Sequence, residues 1–240
     1  MNKQEILDNV QEYYDWFEKV HQNNYRKSIL VLKELVDAHS IALAVFHKII
    51  LSKSLQPGYT SKKINDILLQ IAIFYQGIVT CEQTIRNAQY NLAAALVRQE
   101  YEIIGNINEI KQGTQKPGKG PNVKSGLSNF GRQYSILSEL THAVGDEWHY
   151  VYEKYGDLYS EDLKPVTLMP VQDEKQCLNL YKKHVLFVLV IIEKLLDLYQ
   201  EMYGENLLTE DLNMNLNSAK EILKKYGIDT DNSSEDIRQL

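Results

Sequence analysis

The chain has little that would break a helix. Only five prolines and twelve glycines occur in 240 residues. They gather in a few places, so long stretches run uninterrupted and favour helix. Cysteine is scarce too. Cys81 and Cys177 stand far apart in helical contexts. They form no metal-ligand spacing, and a reduced, cytoplasmic chain is the simplest expectation. Long hydrophobic runs are missing. The longest, Val185–Ile192, has eight residues, well short of the roughly 20 that span a bilayer, so it reads as a buried helix and no membrane partner is expected. The first residues, Met1-Asn2-Lys3-Gln4-Glu5-Ile6, lack an apolar signal core. An excess of positive charge is lacking as well. The net charge is −6 and the pI is near 5.6, which argues against a protein that coats nucleic acid but leaves room for an RNA-cleaving enzyme with a local basic patch. The sequence has no Gly-x-Ser-x-Gly elbow, dinucleotide fingerprint, Walker spacing or Cys/His nucleophile pattern.

What is present is helical periodicity and ample apolar material. Hydrophobic residues make up 44% of the chain, with 16 tyrosines, and no composition break divides it. The expectation is one all-α domain over 1–240, a single up-and-down bundle of six to seven helices. The spacing predicts a helix over 3–22, a turn at Asn23-Asn24, and a second helix over 25–54 stopped by Gln56-Pro57-Gly58. Thr60 or Ser61 caps a third helix. Its apolar pattern continues to Ile110, too long for one helix, so a turn over residues 86–91 should fold it into a hairpin, with Ala93-Ala94-Ala95 allowing close approach. Residues 111–126 read as a mobile Gly/Pro/Lys-rich loop. A fifth helix is expected over 127–155, with Gly145-Asp146 as a point of interruption. A central helix follows over 172–203, then a short one over 218–226, and a frayed tail over 228–240.

Two polar clusters stand out against this apolar background. At 3.6 residues per turn, the apolar arc of the fourth helix (Leu92, Leu96, Ile103, Ile107) encloses Glu100. That carboxylate is expected to be buried and to need a tyrosine or histidine partner. Arg98 and Glu102 fall on the opposite side with Asn106 and Glu109, as an i,i+4 pair on a solvated face. On the fifth helix, a polar stripe runs beside the apolar arc. Within it, Glu139, His142, Asp146 and His149 have the spacing to hold a divalent metal with open positions. They could equally set a histidine against a carboxylate for acid–base chemistry, or form ordinary solvated pairs. Glu18-x-x-His21 and Glu139-x-x-His142 resemble, over two short matches, the ligand pattern of di-iron four-helix proteins. His39 and His47, among Leu43, Phe46 and Ile50, read as packing residues. Lys111, Lys116, Lys119, Lys124 and Arg132 around the glycine-rich loop read as solvated.

The segments Leu96-Val97-Arg98-Gln99-Glu100-Tyr101-Glu102 and Tyr134-x-x-Leu137-Ser138-x-x-x-His142 resemble a bacterial family of helical proteins of unknown function, over roughly residues 60–150. That family pairs an Arg-x-x-x-Glu helix with a Tyr-x-x-x-Ser-x-x-x-His helix. The resemblance implies a site made of Arg98, Glu102, Tyr134, Ser138 and His142. More broadly, the chain is similar to HEPN-type bundles, many of which are dimeric toxin or phage-defence ribonucleases marked by an arginine followed within a few residues by a histidine. This sequence departs from that mark: Arg132 and His142 lie too far apart, and Arg86 is followed by Asn91 rather than histidine. The functional expectation is a metal-independent ribonuclease or defence toxin that forms a homo-oligomer, with no cofactor and with RNA or a partner protein as ligand. The alternatives are a non-enzymatic interaction or sensor subunit, and a divalent-metal bundle enzyme.

Overall fold

The computed structural model describes residues 1–53, 56–116, 118–122, 125–127, 131–142 and 167–228. Among these it contains seven helices and no strand: α1 (Lys3–Leu32), α2 (Glu34–Lys53), α3 (Lys62–Arg86), α4 (Tyr90–Gln112), α5 (Gly131–Thr141), α6 (Glu174–Tyr203) and α7 (Glu210–Lys225). They pack as a bundle around α6, which touches α1, α2, α3, α4 and α7. The apolar run Val185–Ile192 is buried throughout. That is what a helix hydrophobic on every side requires. α7 lies on α2, and α5 lies on α4.

Local chemistry fixes the helix ends. Asn2 and Glu5 form a capping box at α1, and Ser61, Asp173 and Thr209 cap α3, α6 and α7 through their side-chain oxygens. Each cap satisfies an N–H that the first turn leaves without an intrahelical partner. α3 and α4 form the expected hairpin. It closes through Asn87 as C-cap and Ala88 at a positive φ of 61°, and Ala93 and Ala94 are fully buried against it.

Two boundaries differ from the sequence reading. α1 runs through Asn23-Asn24 and ends at Lys33, whose φ is 45°. Asn24 stays helical because its side chain is buried and donates to Pro170 O at 2.8 Å and Asn87 O at 3.4 Å. Tertiary partners thus override its preference for turns. α7 begins eight residues before the expected Ser218, at the Thr209 cap. α5 is described only to Thr141, so the continuation of the fifth helix and its interruption at Gly145 lie outside the described residues.

The apolar residues in the first half of α1 are not core, although Leu32 at its end is. Ile6, Leu7, Val10, Tyr13, Tyr14 and Trp16 are all exposed, and so is every residue from Met1 to Trp16. The first four turns of α1 therefore stand clear of the bundle. α2 and α3 are long and apolar enough to cross a membrane by length and composition alone, with mean hydropathy of 1.4. Both also contribute to the core through residues such as Phe46 and Phe74.

Candidate functional site

α4 carries polar side chains on two sides, and the two sides differ. On the inner side, Glu100 meets His184 of α6, whose Nδ1 is 2.8 and 3.1 Å from the two carboxylate oxygens. His184 Nε2 lies 3.1 Å from Nε2 of His39 on α2. His39 Nδ1 in turn lies 3.1 Å from Glu82 of α3. Glu82 also accepts the Tyr181 hydroxyl at 2.9 Å and pairs with Arg86 at 2.7 Å. Arg86 donates onward to Tyr25 at 2.8 Å. Five helices, α1, α2, α3, α4 and α6, thus contribute one continuous polar row that runs through the apolar core and ends at Tyr25.

The row can be balanced proton by proton. Each carboxylate–imidazole contact holds one proton, and two ring nitrogens in hydrogen-bond contact hold one more. The four groups therefore share three protons and carry one net negative charge, whichever of Glu100 and His184 holds the proton between them. Arg86 supplies the compensating positive charge. Burial lowers the pKa of His39 despite the opposing pull of Glu82. Burial acts to raise Glu82, but the His39 hydrogen bond and the charges of His39 and Arg86 prevail and hold it down to about 2. Cys81, on α3, faces the same row. Burial, reinforced by neighbouring Glu100, pushes its thiol well above the ordinary range.

On the outer side, Arg98 and Glu102 face α5. Arg98 Nε donates to Glu102 at 2.9 Å. Its Nη1 lies 3.2 Å from His142 Nε2 and 3.5 Å from Ser138 Oγ. The Tyr134 hydroxyl donates to the same Glu102 oxygen at 2.8 Å, and the Arg98 guanidinium sits over the Tyr134 ring at 5.2 Å. A guanidinium only donates, so the His142 nitrogen facing it serves as the acceptor in this contact. Burial opposes the charge on Arg98, but Glu102 and Tyr134 more than offset it and raise its pKa. Burial, followed by Glu102, raises Tyr134, which remains a neutral donor at pH 7. Arg98 and Glu102 retain 24% and 32% of their side-chain exposure and His142 is exposed, so solvent and solutes reach the cluster.

The incoming chain holds this outer face in place. Glu109 accepts from Asn122 N and Ser125 Oγ at 2.7 and 2.8 Å, and Asn108 donates to Ser125 O at 2.7 Å. Gly126 then passes so close to Tyr101 that a Cβ there would lie 2.3 Å from the ring. Leu137 and Leu140 of α5 bury against the core, which turns Tyr134, Ser138 and His142 along the seam with α4. The helix-wheel view missed this seam. It set Arg98, Glu102, Asn106 and Glu109 on an outer face, whereas Arg98 and Glu102 meet α5, Glu109 is buried under its approach, and Asn106 turns to Gln70 of α3. Conversely Leu92, expected inside, is 51% exposed.

Arg98, Glu102, Tyr134, Ser138 and His142 therefore meet in one cluster. Of the alternative metal set, Glu139 hydrogen-bonds Ser135, while Asp146 and His149 lie outside the described residues. His21 contacts Gln89 and the Phe17 ring. Among the described residues, the one group of His, Cys and carboxylate atoms at metal-ligand spacing is Cys81, Glu100 and His184, and neither Glu-x-x-His motif contributes to it. Two histidines and one cysteine were misread in the sequence. His39 belongs to the polar row rather than to plain packing, His47 is exposed and contacts Tyr75, and Cys81 does have ligand-type neighbours. Glu82 and His184 were not singled out, and Arg86 was weighed only against the arginine–histidine mark. Their signal was there, since His184 directly precedes the apolar run and faces the same core as Glu100. Compared with known proteins, the chain matches no family model, no curated sequence and no solved structure.

Proposed function

We propose that the α4–α5 seam is a phosphodiester site and that the protein is a metal-independent ribonuclease of the toxin or phage-defence kind. The observation that carries this reading is the solvent-reachable pairing of Arg98 with His142 at 3.2 Å. A phosphate is a stronger acceptor for a guanidinium than an imidazole nitrogen. Bound RNA draws Arg98 onto the phosphate and frees His142 Nε2 beside it. His142 then removes the 2′-hydroxyl proton, the 2′ oxygen forms a bond to phosphorus, and the bond from phosphorus to the 5′ oxygen breaks. The 5′ oxygen takes a proton from water, and His142 returns its own to solvent, leaving a 2′,3′-cyclic phosphate and a 5′-hydroxyl. Arg98 stabilises the charge that grows on the phosphate, while Glu102 and Tyr134 fix the guanidinium. Purified protein incubated with total RNA or tRNA in EDTA tests this. Cleavage should vanish in His142→Ala and Arg98→Ala. Intact RNA, or cleavage that survives His142→Ala, contradicts it.

One observation favours a second reading, an interaction or sensor subunit. The exposed stripe Ile6, Val10, Tyr13 and Tyr14 on α1 is flanked by Glu5, Asp8, Glu12 and Asp15. Such a helix fits an apolar groove with a basic rim on a partner protein. A stable complex lost on Val10→Glu, with RNA left intact, supports this reading over the first.

A further inference from the structure

The interior polar row also includes a thiol, Cys81, which hydrogen-bonds Glu100. The geometry points to a buried site for a thiophilic divalent metal of the zinc class, ligated by Cys81 Sγ, His184 Nδ1 and the two carboxylate oxygens of Glu100.

Three features argue for it. The first is spacing. One ligand atom from each of the three residues lies within 4.8 Å of the others, and Glu100 approaches His184 to 2.8 Å. Bonds of about 2.0–2.3 Å set ligand atoms on a four-coordinate zinc about 3–4 Å apart, so small side-chain shifts suffice. The residues come from α3, α4 and α6, three helices packed on one another, and all three are buried. The second is charge. A thiolate and a carboxylate together neutralise a divalent ion. The other carboxylate of the row, Glu82, already has its own cation in Arg86 at 2.7 Å. Binding expels two protons, one from the thiol and one from the Glu100–His184 contact, and the net charge of the core stays the same. The third is support for the ligand histidine. Metal-bound histidines donate their other ring N–H to an acceptor that fixes the ring. His184 Nε2 already faces His39 Nε2 at 3.1 Å, and His39 passes the chain on to Glu82. The relay that orients a ligand histidine is thus in place.

The ligand chemistry selects the metal. One sulfur, one imidazole and one carboxylate suit zinc and cobalt, whereas magnesium and calcium require oxygen-rich sites. A fully enclosed set of four donor atoms leaves no position for substrate, so the metal is structural and lies apart from the chemistry at Arg98 and His142.

The test is to express or refold the full chain with Co²⁺, remove loose metal by dialysis, and measure metal content, absorption and melting temperature. The expected result is one cobalt per chain, a thiolate-to-cobalt charge-transfer band, and a higher melting temperature than the metal-free chain. Cys81→Ala should fold, because a small apolar residue fits where a buried thiol packs, yet lose both the band and the bound metal. Cys177→Ala should keep them. Glu100→Gln provides a second, near-isosteric variant that should bind at least tenfold more weakly. A folded wild-type chain without stoichiometric metal overturns the proposal, as does a band that persists in Cys81→Ala.

Discussion

Glu100 and Arg98 are two residues apart on one helix, yet they occupy opposite environments. Glu100 sits in the core, where every polar atom needs a partner because water is excluded. Arg98 sits at a seam that solvent reaches, where the same types of group can exchange partners. The inner row links Glu100 to Tyr25 across five helices, with Arg86 Nε left as a buried donor without a partner. Its geometry is closed, and its worth is to specificity and stability. The outer cluster is held equally well by Glu102 and Tyr134, but one of its bonds, from Arg98 to His142, is easily traded for a phosphate. Closure distinguishes a polar network that builds a fold from one able to act on a ligand.

The contrast can be tested where it should be sharpest. Glu100→Ala leaves His184 and His39 buried with a broken relay, and should cost about 3–5 kcal/mol of unfolding free energy by urea titration. Replacing both partners, with Glu100→Met and His184→Leu together, should recover part of that loss, because an absent pair costs less than half a pair. A loss below 1 kcal/mol in Glu100→Ala would mean that the inner row is not closed. At the seam the pattern should reverse. His142→Ala should change stability by less than about 1 kcal/mol, as partly exposed polar contacts do, while lowering RNA cleavage by about 10²–10⁴-fold.

Acid separates the two regions next. The pKa of Glu82 falls from 4.5 to about 2 on folding, so its contribution to stability is complete above pH 4.5 and fades as pH drops towards 2. His39, with its pKa lowered by burial, acts in the same direction below its unfolded value of 6.5, since the unfolded chain takes up the proton more readily. Acid unfolding followed by circular dichroism should therefore show a flatter acid limb in Glu82→Gln than in the wild type, and an unchanged limb in Ser138→Ala. The smallest effect belongs to α1. Val10→Glu should alter stability by no more than about 0.5 kcal/mol, and a larger loss would show that the first turns of α1 are packed after all.

Much of the architecture was legible in periodicity and caps. The α3–α4 hairpin followed from an apolar pattern too long for one helix, and the cap of α3 was narrowed to Thr60 or Ser61, of which Ser61 does it. The central place of α6 followed from a run with no polar side. Burial of Glu100 was legible too, because it falls within the apolar arc of its own helix. The identity of its partner was not, since His184 lies 84 residues away and nothing local couples the two. The same holds for the α4–α5 seam. A helix wheel shows which residues are apolar, but not that a short helix pinned by Glu109 and Asn108 will cover a polar face. The exposed start of α1 failed for the opposite reason: amphipathic periodicity shows that a helix wants a partner, not that the partner lies within the same chain.

The most direct test of the division along α4 is a tRNA-cleavage time course in EDTA, comparing wild type with His142→Ala at matched melting temperature. The proposed function predicts cleavage by the wild type, ending in 2′,3′-cyclic phosphates, and a loss of at least a hundredfold in the variant while its melting temperature holds. Intact RNA with the wild type, or equal rates in the two proteins, would contradict it.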